Sequence, residues 1–544
     1  AITKVTGGLL GNYPVGTDNV ALGNDALGSV ASGGSGNTAI GKNSLTALTT
    51  GDRNTAIGID SLKSITGAEE NTAVGREALR DNTANANTAM GEEAMKLNTS
   101  GSNNVAIGWH SMNANTTGPY NTAIGVIALD ANTTGGQNTG VGYGALSGNT
   151  TASNNTAVGF ESLITNTTGG ENTAVGRDSL KLNTTASNNT AVGYQALSAN
   201  TTADNNTAIG HQSLLNNTTG DRNVAMGQAA LASNTTADGN TAIGYAALAT
   251  NTTAEVNTAL GFHALRLNVT GASNVAVGAL ALDQNTASNN TAVGYNVLAS
   301  NTTGYDNVAV GRASLDANTT AHSNTAVGES SLTTNTTGIR NVAVGTSALA
   351  ANTTGSENVA VGRFALQANT TGGENTASGA EAGGSCTTGI QNVFVGQRAG
   401  NYVTGITTGN YNTYLGMANS ASASNVDHEI VIGRTQAGKG SQTAMIGGTS
   451  GAYNGANTTT WSQTSDERIK KNIEDNNTGL DAIKQIQVKN FEYRTLDEIV
   501  DFENPSSAVV NKEGIQLGVI AQEIETILPD MVTTQSTGVK AVNP

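Results

Sequence analysis

The sequence predicts a mostly β fold, a parallel β-roll or β-solenoid with one rung per seventeen-residue repeat, and three observations predict it. Asparagine opens a block at Asn19, Asn37, Asn54, Asn71, Asn87, Asn104 and Asn121 and onward to Asn358, Asn375 and Asn392, giving twenty-three anchors almost always seventeen residues apart. The fifth residue of the block is Gly in all twenty-three, from Gly23 to Gly396. Each block holds two short apolar pieces, Asn-Thr-Ala-Val-Gly and Ala-Leu, divided by Gly and by Asn-Thr-Thr-Gly. Such pieces are too short for a three-turn helix and suit two brief strands with turns.

The consensus block is N-[T/V]-A-[V/I]-G-x-x-[A/S]-L-x-x-N-T-T-[G/A]-x-x. One block cannot bury its own Val and Leu, whereas stacked identical blocks bury both and pair every backbone amide with the next rung. Twenty-two intervals at about 4.8 Å make a rod on the order of 105 Å. Leu holds position nine through most of the array, as at Leu146, Leu163, Leu180 and Leu197, with Met95 and Met112 as substitutes. The invariant Gly supplies either a tight corner with positive φ or a place where another backbone comes close. The blocks starting at Asn71 and Asn274 have sixteen residues, each lacking one after the second Asn, which marks that part as a loop.

The second Asn, at position twelve, recurs eighteen times from Asn82 to Asn369. Its period implies an amide ladder along a turn, and the N-x-T sequons it creates read as that ladder rather than as glycan sites. Cys386, the only cysteine, takes the same position in a later block, where it reads as a small ladder residue, and a single thiol excludes an intrachain disulfide.

Position six, directly after the invariant Gly, carries Trp109, Tyr143, Phe160, Tyr194, Tyr245, Phe262 and Tyr295, seven of the twenty aromatics in the chain. A row of flat rings on one edge either stacks on sugar faces as a carbohydrate platform or packs between protomers. A polysaccharide-depolymerising enzyme would need paired acids, for which the position-seven residues Glu77, Glu93, Glu161 and Asp178 are the only candidates; they read as solvated edge charges. An ice-binding or purely structural rod is the remaining alternative, since Thr-Thr recurs on one turn. Adjacent threonines on a strand face opposite ways, which disfavours a flat threonine array. No His, Cys and carboxylate cluster has metal-ligand spacing, so no metal and no cofactor is expected.

Residues 1–18 form a lead-in and residues 19–391 the regular rod. In residues 392–464 the repeats degenerate, as at Asn412-Thr413-Tyr414-Leu415-Gly416, Glu429-Ile430-Val431-Ile432-Gly433 and Thr443-Ala444-Met445-Ile446-Gly447, and are expected to form the rod's lower end and a neck. The repeat style is similar to that of trimeric autotransporter adhesin heads, which have shorter Gly-containing repeats.

Residues 465–544 break the period. Ser465-Asp466-Glu467-Arg468-Ile469-Lys470-Lys471-Asn472-Ile473, Gly479-Leu480-Asp481-Ala482-Ile483, Val488 to Arg494, Leu517-Gly518-Val519-Ile520-Ala521-Gln522-Glu523-Ile524, Pro529 and Gly538 to Asn543 stand in one order. This segment resembles the intramolecular chaperone autoprocessing domain at the C-terminal end of phage tailspikes and tail fibres, such as endosialidase tailspikes. The resemblance implies a small α+β domain that trimerises the fibre and cleaves itself between Thr464 and Ser465, with Ser465 as nucleophile and Lys470 as its basic partner. It also implies a long final helix, for which this chain has no residues after Pro544.

A serine hydroxyl needs a neighbour to take its proton, and a lysine serves only if burial or nearby positive charge, here Lys471, lowers its pKa. An offset of five rotates about 140° around a helix and falls on opposite faces of a strand, so neither element alone joins the pair. A bend after a cap at Ser465 or Asp466, or a lysine from a neighbouring protomer, would join them.

Gly 68 with 12% charged and 4% aromatic residues would read as disorder without the period; with it, the composition is that of an extracellular or virion rod. The net charge of −16 argues against nucleic acid or an anionic membrane as partner. No apolar run of eighteen residues exists and no signal peptide is visible, so no membrane insertion is expected. A start at Ala1 reads as a processed or excised chain. The whole reads as a homotrimeric attachment fibre, a receptor-binding tail fibre or surface adhesin that contacts a cell-surface glycan or other host receptor.

Overall fold

The computed structural model describes residues 18–30, 34–447, 452–454, 461–462, 479–499, 510, 512–534 and 539–542. The chain divides into two compact units, Ala1–Gln463 and Thr464–Pro544. In the first, twenty-six three-residue strands run from β1 (Val20–Leu22) and β2 (Thr38–Ile40) to β26 (Ala444–Ile446), all parallel and each paired with its sequence neighbours. The register sets like on like, as in Thr173↔Thr190, Ala174↔Ala191 and Val175↔Val192. Two further strands close the parallel run, β27 (Ala452–Asn454) antiparallel to β26 and β28 (Trp461–Ser462) antiparallel to β27. The solenoid is thus a parallel stack of seventeen-residue rungs, as the repeat predicts, and the degenerate blocks after Asn392 continue it through Thr413–Leu415, Ile430–Ile432 and Ala444–Ile446.

The expectation that stacking buries both Val and Leu is half right. Three residues of strand alternate out, in and out. The residue facing inward is the Ala of position three, fully buried from Ala39 to Ala377, while the Val or Ile of position four faces out, as at Ile57, Ile124, Val158 and Val361. Position nine Leu fills the interior opposite Ala, with the Ala or Ser of position eight.

The second apolar piece is a turn and not a second strand. Positions seven, nine and seventeen lie in the left-handed region in rung after rung, for instance Gln195, Leu197 and Asn205 at φ 54°, 53° and 60°. The backbone still bonds to both neighbouring rungs there, Leu197 N–H to Ser213 C=O at 3.0 Å and Gln195 N–H to Arg177 C=O at 3.0 Å. Alternating the hand of successive residues keeps this ladder but bends the chain at each step, so no extended segment forms. A left-handed Leu costs roughly 1–2 kcal/mol by itself, and the inter-rung bonds hold it there.

The invariant Gly meets both of the needs foreseen for it. Gly193 has φ +139°, and a Cβ on it would stand 2.4 Å from the carbonyl oxygen of Gly210 in the next rung. Neither the conformation nor the space admits another residue.

Two asparagine ladders run through the interior. The predicted one, at position twelve, links Asn183 Nδ2 to Asn166 Oδ1 at 2.8 Å and Asn200 Nδ2 to Asn183 Oδ1 at 2.9 Å, each amide also donating to the carbonyl three residues on. In the short blocks the reach is two residues, Asn82 to Ala84 and Asn285 to Ala287, because the deleted residue lay in that turn. The second ladder belongs to the anchor Asn of position one, whose Oδ1 accepts from the next anchor's backbone N–H, as in Asn206 N–H to Asn189 Oδ1 at 2.9 Å. Both columns are fully buried, the anchors from Asn37 and the position-twelve residues from Asn82.

The core changes hands near the lower end. Phe394 and Tyr414 replace the inward Ala, stacked at 5.7 Å, and Gly383 and Gly400 replace Leu at position nine and leave room for the Phe394 ring. Glu429 takes the anchor position, fully buried, and accepts from Tyr414 Oη at 2.6 Å and from the N–H groups of Ser422 and Gly440. Its own N–H donates to Asn412 Oδ1, so a carboxylate ends this stretch of the amide ladder.

In the second unit, helix α1 (Gly479–Ile483), strands β29 (Lys489–Phe491) and β30 (Gln516–Gly518) in an antiparallel pair, helix α2 (Ala521–Ile527) and a second antiparallel pair, β31 (Val532–Thr534) with β32 (Lys540–Val542), make a small α+β arrangement. Lys489 pairs with Glu523 and Lys540 with Glu525, tying α2 to a strand of each pair.

Candidate functional site

The corner at Gly turns position six outward, and the parallel register then places every position-six side chain directly over the next. The column is therefore dictated by the repeat, and its contents by one residue per block. Trp109, Tyr143, Phe160, Tyr194, Tyr245, Phe262 and Tyr295 are all exposed. Their rings stack along the rod: Tyr143 on Phe160 at 5.2 Å and 14°, and Tyr245 on Phe262 at 5.5 Å and 14°. Trp109 lies against His110 in its own rung at 3.9 Å.

Two contributors were not legible from the aromatic residues alone. The Arg177 guanidinium lies 5.4 Å from the Phe160 centroid and 6.0 Å from that of Tyr194, and Tyr194 stacks on His211 at 5.2 Å. Tyr143, Phe160, Arg177, Tyr194 and His211 thus form one continuous stack over five rungs. A cation over an aromatic face is attracted by the ring quadrupole. All five histidines of the chain lie against aromatic rings, the others being His110, His263, His322 on Tyr305 and His428 on Tyr411. The signal was the shared block position of Tyr194, His211 and Arg177.

Stacking along the axis covers ring faces and leaves ring edges to solvent. Within the continuous stack, a flat platform for sugar faces is therefore not what the geometry offers; open faces exist only where the column is interrupted.

The position-seven acids are not solvated edge charges, which corrects the expectation from sequence. Glu77 pairs with Arg76, Arg80 and Lys96, and Glu93 with Arg76, Lys96 and His110. Lys181 binds Glu161 at 2.7 Å and Asp178 at 3.0 Å, and Asp178 is buried. The register sets Lys96 against Glu77, Arg76 and His110 against Glu93 and Lys181 against Glu161 across rungs, while Arg80, Lys96 and Lys181 also reach the acid three residues earlier in their own rung. The hydrogen bond from Lys96 holds the Glu77 carboxyl below the usual carboxylate range. Acids engaged by cations in this way are a poor setting for the protonated partner that glycoside hydrolysis needs. Among the described residues there is no group of His, Cys, Asp and Glu that could hold a metal, and no helix long and apolar enough to cross a membrane.

Thr464, Ser465 and Lys470 lie outside the described residues, with the cleavage point they were assigned. The parts of the second unit that are described share one property. Leu480, Ile483, Val488, Leu496, Ile515 and Leu517 are all exposed, and Ala482 and Ile524 alone are buried apolar residues among those described there. Apolar residues exposed in this way call for another surface to cover them.

Residues 465–533 match the family described as the chaperone of endosialidase. No curated protein and no solved structure matches the chain. A chaperone-of-endosialidase domain behind a long parallel β-solenoid fits a tail fibre or tailspike.

Proposed function

We propose that the chain is a homotrimeric attachment fibre, carried on a virion tail, whose C-terminal unit brings three chains together, guides their folding and then cuts itself away. The observation that carries this reading is the chaperone family match at residues 465–533 beside twenty-six parallel rungs, most of them near-identical. Identical rungs pair almost equally well in several registers, and a module that assembles first fixes stoichiometry and register together.

Two apolar surfaces support three copies. The outward position-four column, with Ile57, Met90, Ile124, Val158, Leu260 and Val361, lies on one face of the sheet rung after rung. Monomeric proteins rarely expose a continuous apolar patch of more than a few hundred Å². The exposed Leu480, Ile515 and Leu517 of the second unit make the same demand there.

Cleavage would begin with Ser465 Oγ attacking the Thr464 carbonyl carbon while the Lys470 amine takes the hydroxyl proton. The carbonyl passes from the Ser465 nitrogen to its oxygen as an ester, the nitrogen gains a proton, and water then releases Thr464 as a carboxylate. The attachment role falls to the rod, through a surface glycan or another host receptor.

Expression of the complete chain followed by mass spectrometry tests the assignment. The expected result is a small fragment beginning at Ser465, and a single uncut chain of unchanged trimeric mass for Ser465→Ala and for Lys470→Ala. A fragment beginning elsewhere, or cleavage that survives both substitutions, rejects the dyad.

A further inference from the structure

The position-six column has one interruption that its neighbours do not fill. Ala279 stands between Phe262 and Tyr295, and the pairings Thr258↔Val275 and Val275↔Thr291 put these three residues on successive rungs. Elsewhere a gap of one rung is occupied: Val126 lies between Trp109 and Tyr143, Arg177 between Phe160 and Tyr194, and Gln228 between His211 and Tyr245. Only at Ala279 does a methyl group floor a space walled by a ring on either side.

Both walls have a face to offer. Phe262 has Tyr245 at 5.5 Å and His263 at 3.8 Å, and those two are 5.5 Å from each other. Groups stacked on opposite faces of one ring stand about 7 Å or more apart. Tyr245 and His263 therefore share one side of Phe262, and among the described residues no ring or guanidinium stacks on the side toward Tyr295. Tyr295 is 56% exposed, the most open of the seven. Two strand spacings separate the walls by about 9.6 Å. A flat ring held above Ala279 would lie one rung from each, close to the 5.2 Å and 5.5 Å at which this column already stacks its own rings.

We infer that Phe262 and Tyr295 form a slot that sandwiches a single pyranose ring of all-equatorial, gluco configuration above Ala279. This rests on the attachment reading and gives it a chemical class. A sugar held between two aromatic faces must be apolar on both sides. An all-equatorial pyranose meets that condition, with axial C–H groups above and below and its hydroxyls around the rim, whereas an axial hydroxyl spoils one face. Asn296 directly follows the Tyr295 wall in sequence and offers its amide oxygen to the rim, its Nδ2 being engaged by Asp316 Oδ1 at 2.7 Å.

The test uses the complete chain with cellotetraose as probe, methyl β-galactopyranoside and methyl α-mannopyranoside as axial-hydroxyl controls, and saturation-transfer NMR with calorimetry as readouts. Ala279→Phe is the decisive variant, since it extends a stack that already tolerates Phe beside Tyr and so fills the slot without opening the fold. Cellotetraose is expected to bind with saturation of its axial ring protons, to lose at least tenfold in affinity with Ala279→Phe and with Tyr295→Ala, and to outcompete both controls. Unchanged affinity in Ala279→Phe, equal binding of the controls, or no binding of cellotetraose to the wild type overturns the slot. Retention of the full chain on a panel of immobilised glycans measures attachment separately. Retention that Ala279→Phe leaves intact removes the slot and leaves the attachment reading standing; no retention on any glycan counts against attachment itself.

Discussion

At the residue scale the rod depends on side chains that replace backbone chemistry. Most position-twelve amides receive one hydrogen bond and give two, and of the two breaks among the described residues, at Asn268 and at Asn369, the second shows what the ladder contributes. Cys386 occupies the place of an Asn, its thiol against the Gly389 carbonyl at 3.7 Å, with burial pushing its pKa up to about 12. It has no amide to give, and Asn369 Oδ1 is left buried without a partner among the described residues. Leaving such an acceptor unpaired costs about 1–3 kcal/mol. Cys386→Asn would donate both to Asn369 Oδ1 and to Gly389 C=O, as Asn369 does to Asn352 and Gly372. The expected gain is about 1 kcal/mol, read as slower amide hydrogen exchange in the rungs around Asn369. Faster exchange there would show that the ladder is not what the site lacks.

At the element scale a rung is a strand of three residues and a turn with alternating hand, and its interior is a fixed volume that Ala and Leu share. The exchange near the lower end obeys the same constraint with the sizes reversed, Phe394 inward and Gly383 and Gly400 opposite. A Cβ on Gly383 would stand 2.5 Å from the Phe394 ring. The backbone does not forbid Leu there, since Gly383 has φ 56° and Leu366, one rung earlier, φ 48°. Phe394→Ala alone should cost about 3–5 kcal/mol and Gly383→Leu alone about 1–3 kcal/mol. Combining them restores the pattern of the regular rungs. The double variant is expected to be more stable than the sum of the singles by about 0.5–3 kcal/mol, measured as a double-mutant cycle in denaturant. Strict additivity would mean that the two positions do not share one space.

At the scale of the whole molecule the notable fact is how little large apolar surface each chain keeps for itself. The rod interior is mostly Ala, Leu and amide, its outward column is mostly Val and Ile, and among the described residues of the second unit Ile524 is the one Leu or Ile that is buried. The complete chain is expected to sediment as a trimer in analytical ultracentrifugation, and a chain ending at Thr464 that never carried residues 465–544 to yield aggregate or unfolded material. A soluble, β-rich monomer from that shortened chain would contradict both the trimer and the chaperone role.

The sequence by itself determined the rung, because a period of seventeen with Gly invariant at position five and Asn at positions one and twelve sets like residues on like when rungs stack. It also located the C-terminal chaperone unit, since several motifs in order survive where a single Ser-Lys pair would say nothing. Which apolar residue faces inward was decided only by the tertiary structure. Val158 and Ala157 are neighbours on one strand, and hydrophobicity favours burying the larger, but the space left by Leu163 across a narrow rung admits only the methyl group. The same holds for the acids and the rings. Glu77 and Phe262 look alike in sequence to any exposed Glu or Phe, and only the register that stacks rung on rung sets Lys96 against the one and Tyr245 against the other.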